Sequence, residues 1–427
     1  MFHSLGGGFP QSKAFGDQQT LMNTALSKAT GAVAQLGARA AAVTGAYVAA
    51  TAVMLLAVIV LRGMVAPGLL RNILGLIFLM SLSAGLEPGT IKAAALGEAG
   101  VEGADLVAYL AVGAMKGALA SPLLAVIWRL ADPTIPFSIL AWTPLITIAG
   151  FWATDMRVLL DVRGRHTLAV GLKQGSLAGG VAVMGLLVAL GTPLIWAAGA
   201  STLARLALPL LVAASFRRAP SGGSVWRQSR RLLDDKRWVD LAAVSVIAAV
   251  GGSVDRVIGL RLLSPTNYGA YYLIYELLTK FWLIPFVLGP ILFARRASGD
   301  QSDSLVRGAW GLTAAAGAAF LTVVAGVLIV APGLLARLIG ASFGLATFGF
   351  AMGVVVGSLV QLQIAHLQGA GRGRRTAVAM GLSAVLSAPM FWVCASVFGA
   401  AGLLWAFLAK TSLELALVSW RAKVPGP

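Results

Sequence analysis

The sequence has a single cysteine, Cys394, and few charged residues: only 11% of its 427 residues are Asp, Glu, Lys or Arg. A lone cysteine excludes a disulfide bond within the chain, and its apolar neighbours predict an inert core thiol. A charge content this low, together with 58% hydrophobic residues, excludes an ordinary soluble domain. The composition is typical of a protein that crosses a membrane many times.

A nucleotide-binding motif is also missing. The nearest match to a P-loop, LWAFLAKTS, has Leu404 and Ala409 where glycines are required, and it lies within an apolar run. We therefore predict that the chain does not hydrolyse ATP. We also predict no cofactor and no metal site.

What the sequence does contain is a series of long apolar runs. We predict an all-α protein of about twelve membrane-spanning helices in two six-helix lobes, because roughly 20 helical residues cross the hydrocarbon of a bilayer. The predicted spans are Ala40 to Leu61, Ala66 to Leu86, Asp105 to Ile127, Ile135 to Ala153, Ala169 to Leu190, Thr192 to Ala214, Val239 to Leu263, Tyr268 to Leu292, Leu305 to Val330, Leu345 to His366, Ala377 to Phe398 and Ala400 to Trp420.

The positive charges alternate between the two sides of this arrangement. Of the 33 lysines and arginines, 23 fall in the terminal and connecting segments of one side, and that side includes both termini. Because cytoplasmic loops carry the excess of Lys and Arg, we predict that both termini are cytoplasmic. This placement accounts for the net charge of +17 without a nucleic-acid partner. The outer segments hold only Arg62, Arg71, Arg129, Arg261 and Arg337.

The longest interruption between spans is a basic segment punctuated by Gly, Ser and Pro, which is typical of a cytoplasmic linker. It divides the spans six and six. The predicted organisation is a cytoplasmic tail (1–39), an N-lobe (40–214), the linker (215–238), a C-lobe (239–420) and a C-terminal tail (421–427).

Charged residues inside the spans are the main indication of function. At the centre of a membrane helix a charge costs about 2.5–3.5 kcal/mol, so such residues usually face a cavity or a partner. Five cations lie on five different spans and would make a shared cavity electropositive. We predict these as cavity residues, with two carboxylates as candidates for ion coupling: the cations are Lys116, Arg205, Arg256, Lys280 and Lys410, and the carboxylates are Asp255 and Glu276.

Structural roles are the alternative for several of these residues. Glu276 with Lys280, and Lys410 with Glu414, are spaced i,i+4 and can form ion pairs within a helix. Asp255 can likewise pair with its neighbour Arg256 instead of binding a proton or sodium ion. Four tyrosines at 268, 271, 272 and 275 predict an aromatic belt at the outer membrane surface, with a sugar-stacking rim as the other interpretation.

The Asp255-Arg256 pair, the LLSPTNYGAYYL segment that follows, Pro285 and the ILFARRAS segment resemble a known pattern. They are similar to the polysaccharide (O-antigen type) flippase family of the multidrug/oligosaccharidyl-lipid/polysaccharide exporter superfamily. In that family the seventh span ends in Asp-Arg, a short outer turn leads to Gly-Tyr-Tyr, and the eighth span ends near Leu-Phe-Pro. Here Ala294 occupies the position of that proline.

This resemblance implies a two-lobe transporter of the bacterial cytoplasmic (inner) membrane. It would move a polyprenyl-pyrophosphate-linked oligosaccharide from the inner to the outer leaflet by alternating access, for the synthesis of lipopolysaccharide or exopolysaccharide. The implied partners are that lipid-linked oligosaccharide, the bilayer, and a polysaccharide polymerase or export machinery. The cations fit this cargo, since a pyrophosphate brings about two negative charges that must leave water.

Two other functions stay open. The nearest alternative to a flippase is a sodium- or proton-coupled drug or metabolite exporter of the same superfamily. A cationic drug would favour an acidic cavity, however, and the spans contain more cations than carboxylates. A membrane glycosyltransferase, ligase or polymerase acting on the outer face would need acid and base groups in a sizeable outer loop. Asp132 is the only outer carboxylate of the predicted topology, so we predict no enzymatic activity.

The predicted topology can be tested with single cysteines in a Cys394→Ala background. Because the linker is predicted inside and the turn after the seventh span outside, Asn267→Cys should react with an impermeant thiol reagent in intact cells, and Gly222→Cys should react only after the membrane is opened. Labelling of Gly222→Cys in intact cells would contradict the topology.

Overall fold

A computed structural model describes residues 45–86, 106–162, 165–215, 225–234, 237–297, 303–339 and 343–423. The secondary structure of these residues consists of helices joined by turns, with no strand among them, which confirms the all-α prediction. The predicted N-terminal tail lies outside them. The helices are α1 (Gly45–Met64), α2 (Pro67–Gly85), α3 (Leu106–Ala131), α4 (Phe137–Leu140), α5 (Thr143–Val162), α6 (His166–Ala189), α7 (Leu194–Ser215), α8 (Val225–Asp234), α9 (Arg237–Gly251), α10 (Val254–Leu262), α11 (Pro265–Leu278), α12 (Leu283–Ala297), α13 (Asp303–Val330), α14 (Pro332–Ile339), α15 (Leu345–Gly369) and α16 (Gly373–Lys423).

The predicted number of spans is confirmed once the last helix is divided. Eleven helical stretches of the described residues are long and apolar enough to cross a membrane. The last of them contains Gly399 with a φ of 60°, a backbone conformation that favours glycine, and the chain reverses there. Gly402 then packs directly on the backbone of Cys394, where any Cβ would clash. α16 is therefore two spans, 373–398 and 400–423.

Two groups of helices pack around separate centres. In the N-lobe, α5 contacts α2, α3, α6 and α7; in the C-lobe, α15 contacts α12, α13 and both limbs of α16. The lobes meet where α2 packs against α9 and α11, and where α3 packs against α10. α2 is among the most buried spans because it lies between the lobes, with its buried side chains in a core shared by both.

The seventh and eighth spans are both interrupted partway across. A turn at Gly252 and Ser253 separates α9 from α10, and a 3₁₀ turn, Thr279–Trp282, separates α11 from α12. Pro285 explains the second break, because its ring clashes with the carbonyl group four residues earlier, at Phe281. Interrupted helices free backbone carbonyl groups, so such breaks are tolerated where protein groups or water meet them.

Contacts at one end of the bundle hold the lobes together, on the side that the topology predicts to be outer. Arg71 of α2 donates a hydrogen bond to the carbonyl oxygen of Leu260 in α10. Its Nε lies 3.7 Å from Asp132 Oδ2, and the other carboxylate oxygen of Asp132 accepts from the backbone N–H and the hydroxyl group of Thr134. Gly75 of the N-lobe also lies against Leu260.

We expect Arg71→Gln to loosen this outer contact. A hydrogen bond from a charged group contributes about 1.5–3 kcal/mol, so transient opening should increase roughly tenfold or more. The measurement is the rate at which an impermeant reagent labels Leu74→Cys, a buried position of α2, in a Cys394→Ala background. Arg261→Gln, at an exposed arginine of α10, is the matched control and should leave the rate unchanged. Equal labelling of the two variants would contradict the proposed role of Arg71 in holding the lobes together.

Candidate functional site

A small cavity lies in the C-lobe and is closed on one side by α2 of the N-lobe. Its volume is about 130 Å³, which is room for a few water molecules but not for an organic cargo. Both helix breaks border it, the first through Gly252 and the second through Trp282. Its polar lining is Ser81, Ser253, Arg256, Tyr275, Trp282, Gln361, Lys410, Thr411 and Glu414.

Arg256 occupies the wall of this cavity where the two lobes meet. Its Nη2 donates to the carbonyl oxygen of Gly252 at 3.2 Å, which the break before α10 frees, and to the hydroxyl group of Ser253 at 2.8 Å. The guanidinium lies 4.9 Å from the ring centre of Phe78 in α2 and 4.5 Å from that of Tyr275 in α11. Aromatic faces attract cations, so the group is sandwiched between the lobes. Its Nε has no hydrogen-bond partner in the structure.

Lys410 supplies the second positive charge of the cavity. Its Nζ lies 2.8 Å from Glu414 Oε1, one helical turn further along the second limb of α16. Both side chains are buried. The i,i+4 pair that the sequence offered as an alternative is therefore formed, and it borders the cavity at the same time. The lining thus carries two cations and one carboxylate.

The other i,i+4 pair, Glu276 with Lys280, is also formed, with 2.7 Å between Lys280 Nζ and Glu276 Oε2. It flanks the 3₁₀ turn and is not part of the cavity lining. Lys280 lies 5.8 Å from the ring centre of Tyr47 in α1, which places this pair on a second contact between the lobes.

The remaining two predicted cavity cations lie elsewhere in this state. Lys116 of α3 lies 3.5 Å from the ring centre of Trp238 at the start of α9, and it interacts electrostatically with Asp155 of α5. Arg205 of α7 is 1% exposed in the N-lobe, where its Nη2 donates to the carbonyl oxygen of Met80 at 3.1 Å. The structure thus brings only Arg256 and Lys410 of the five cations to one cavity, and a cargo role for the others stays a prediction.

Asp255 is buried beside the cavity but does not line it. Its Oδ2 accepts a hydrogen bond from the hydroxyl group of Tyr271. No ion pair joins Asp255 to Arg256 in the described ranges, because adjacent residues of a helix point in different directions. The pairing suggested by the sequence is therefore not formed, and the role of Asp255 in ion coupling stays a prediction.

The predicted aromatic belt is wrong. Tyr268, Tyr271, Tyr272 and Tyr275 are at most 3% exposed and form a buried cluster rather than a lipid-facing rim. Their rings pack on one another along α11, and Tyr275 continues the cluster to Phe350 and Phe407 of the C-lobe. The repeated tyrosines fill the space between α2 and the C-lobe, a role that residue type alone does not reveal.

Sequence reasoning also missed several polar residues. Gln361 and Ser81 line the cavity, and Trp282 reaches it while its Nε1 donates to the carbonyl oxygen of Val354 at 3.1 Å. The predicted fourth span ends at Ala153, before Asp155, whereas α5 continues to Val162 and Asp155 is buried. A polar residue within an otherwise apolar run, such as Gln361, is the signal that could have found them.

Comparison with known proteins gives the fold but no sequence relative. No protein-family model matches the chain, and no curated protein matches it. Among solved structures, a MOP superfamily transporter from Pyrococcus furiosus is 15% identical with a TM-score of 0.61 and covers 90% of this chain and 94% of that one. A MATE structure in complex with MaL6 is 16% identical with a TM-score of 0.58, and the match covers 90% of this chain and 93% of that one. The eukaryotic MATE transporter AtDTX14 is 15% identical with a TM-score of 0.56, and the match covers 92% of this chain and 96% of that one. The chain therefore has the fold of these transporters.

Proposed function

We propose that the chain is a membrane transporter of the MOP superfamily that moves a polyprenyl-pyrophosphate-linked oligosaccharide between the leaflets by alternating access. The observation that carries the proposal is the position of Arg256 and Lys410 on one cavity, beside two broken helices and next to the contact between the lobes. Transport sites commonly lie where discontinuous helices meet near the middle of the membrane. The fold shared with MOP and MATE transporters supports a role in membrane transport, whichever cargo is carried.

The charge of the cavity supports an anionic cargo. Glu414 is engaged by Lys410 at 2.8 Å. Arg256 forms no ion pair with a carboxylate of the described residues, although Asp255 and Glu276 interact with it electrostatically from outside the cavity lining. Its Nε also lacks a partner. A pyrophosphate that leaves water needs charged donors in a medium of low dielectric constant, and Arg and Lys supply them.

The lobes must separate for such a cargo to enter, because the cavity holds only about 130 Å³. The movement that would enlarge it is a displacement of α2, whose Ser81 and Leu82 form one wall and whose Phe78 covers Arg256. When α2 moves away, one face of the guanidinium loses its aromatic partner and can bind a phosphate oxygen instead. Opening the cavity and exposing its positive charge are then the same event.

We propose Asp255 as the residue that couples transport to a proton or sodium gradient, with Glu276 as the second candidate. Asp255 is 1% exposed, adjoins the break between α9 and α10, and has the hydroxyl group of Tyr271 as its hydrogen-bond donor. Binding a proton or sodium ion would change its charge next to the contact between the lobes. An ion gradient can drive the cycle only if the two lobe arrangements differ in their affinity for that ion.

The second candidate function is a sodium- or proton-coupled drug exporter. It is favoured by the neighbouring structures named as multidrug MATE transporters and by the buried carboxylates Asp255 and Glu276. An organic cation would have to bind beside Arg256 and Lys410, which repel it. The bacterial inner membrane as the location, and a polysaccharide polymerase or export machinery as partner, follow only if the first function is correct.

A reconstituted vesicle assay separates the two functions. We expect translocation of a polyprenyl-pyrophosphate oligosaccharide, and Arg256→Gln and Lys410→Gln should each slow it about tenfold or more, because each removes a charged donor worth about 1.5–3 kcal/mol. Arg261→Gln, at an exposed arginine of the same helix as Arg256, is the matched control and should keep the wild-type rate. Export of an organic cation with no movement of the lipid-linked sugar would support the drug exporter.

Coupling is tested separately with Asp255→Asn. Asparagine keeps an oxygen that can accept from the Tyr271 hydroxyl group but cannot titrate. We expect the variant to bind cargo normally and to lose its response to an imposed proton or sodium gradient. A Tyr271→Phe variant is the control for the hydrogen bond alone and should retain that response. Gradient-driven transport by Asp255→Asn would rule out the coupling role.

A further inference from the structure

The segment between the lobes contains a short helix, α8, with two different faces. Its sequence, VWRQSRRLLD, places Ser229 and Leu232 on one side and Arg227 and Arg230 on the other, because residues three or four apart share a helical face. Ser229 is buried, and Leu232 packs on a core cluster of the N-lobe that includes Tyr109, Met156 and Leu159. The apolar side of α8 is therefore occupied by the protein itself.

Two contacts at the end of α8 hold it in place. The indole Nε1 of Trp238, at the start of α9, donates to the carbonyl oxygen of Leu233 at 3.0 Å. The ammonium group of Lys116 in α3 lies over the ring of the same tryptophan, 3.5 Å from its centre. α8 also packs along α3. It is thus a fixed part of the structure at the junction of the two lobes.

α8 is attached to the ends of two candidate membrane spans. The core cluster that holds it includes Leu106 and Leu110, the first turns of the α3 span. The α9 span begins three residues after α8 ends. A helix attached to the first turns of two spans lies at the level of the lipid head groups rather than in the hydrocarbon or far out in water.

Arg227 and Arg230 point away from this attachment. Both side chains are exposed. Neither takes part in the ion pairs that the described residues form. Two guanidinium groups on adjacent turns, held at head-group level, match the phosphates of anionic lipids in charge and in height. A basic amphipathic helix beside a membrane span is the kind of element that anionic lipids recognise.

We propose that Arg227 and Arg230 form a binding surface for the phosphate groups of anionic phospholipids in the leaflet next to the linker. Lipid is the occupant because lipid head groups surround a helix at this level, whereas an acidic protein or a nucleic acid would have to approach from the water. The surface lies outside the cavity that contains Arg256, so it does not depend on the identity of the cargo.

Energy transfer to labelled lipids tests the proposal on the full chain in vesicles. A donor dye is attached at Asp234→Cys, an exposed position of α8, in a Cys394→Ala background, and the acceptor is carried either by phosphatidylglycerol or by phosphatidylcholine. We expect stronger transfer to phosphatidylglycerol and a preference that decreases with salt. Arg227→Gln and Arg230→Gln should each reduce this preference roughly fivefold, the factor for one cation near an anionic leaflet.

The matched control carries Arg261→Gln and Arg337→Gln, two exposed arginines of α10 and α14 on the predicted outer side, and should keep the full preference. Arg227→Lys with Arg230→Lys keeps the charge and should also retain it, which separates lipid binding from misfolding. An equal preference in the wild type and in the double variant Arg227→Gln with Arg230→Gln would overturn the proposal. Binding of an RNA to the protein in vesicles that lack phosphatidylglycerol, if the same double variant abolishes it, would also overturn the proposal.

Discussion

A charge inside a bilayer has only the protein to interact with, and for Arg256 this constraint connects the break before α10 with the contact between the lobes. Lys410 finds its partner one turn away in Glu414, as Lys280 does in Glu276. Arg256 has no such neighbour. It takes the carbonyl oxygen of Gly252 from the interrupted helix and rings from both lobes, so the break before α10 and the contact with α2 both serve one guanidinium.

Arg256 is stabilised by a contact between the lobes, so binding of cargo at Arg256 is linked to the arrangement of the lobes. Tyr275 lies in the same lobe as Arg256, but Phe78 contacts Arg256 only while α2 rests on the C-lobe. Arg71 stabilises that arrangement nearer the start of α2, through its hydrogen bond to Leu260. Cargo and Phe78 would then compete for the same cation. A ligand shifts such an equilibrium by the difference between its affinities for the two states. An anion that binds exposed Arg256 has this property.

The sequence predicted the number of spans because length and apolar content determine whether a helix can cross a bilayer, and the turn at Gly399 is marked by its glycine. It also offered the Lys410–Glu414 pair, since i,i+4 spacing is local. It did not separate the cations that share a cavity from those that do not. Lys116 faces Trp238, more than 100 residues away in the chain, and such contacts depend on how helices pack. The sequence did not predict α8, because the Gly, Ser and Pro residues that precede it favour a linker.

We propose that the cavity next to the contact between the lobes accepts an anion at Arg256. Equilibrium binding of a short-chain polyprenyl pyrophosphate to the purified protein, compared with an organic cation under the same conditions, tests it most directly. We expect the pyrophosphate to bind, Arg256→Gln to weaken its binding about tenfold or more, and the cation to bind weakly or not at all. Tight binding of the cation, with no binding of the pyrophosphate, would contradict the proposal.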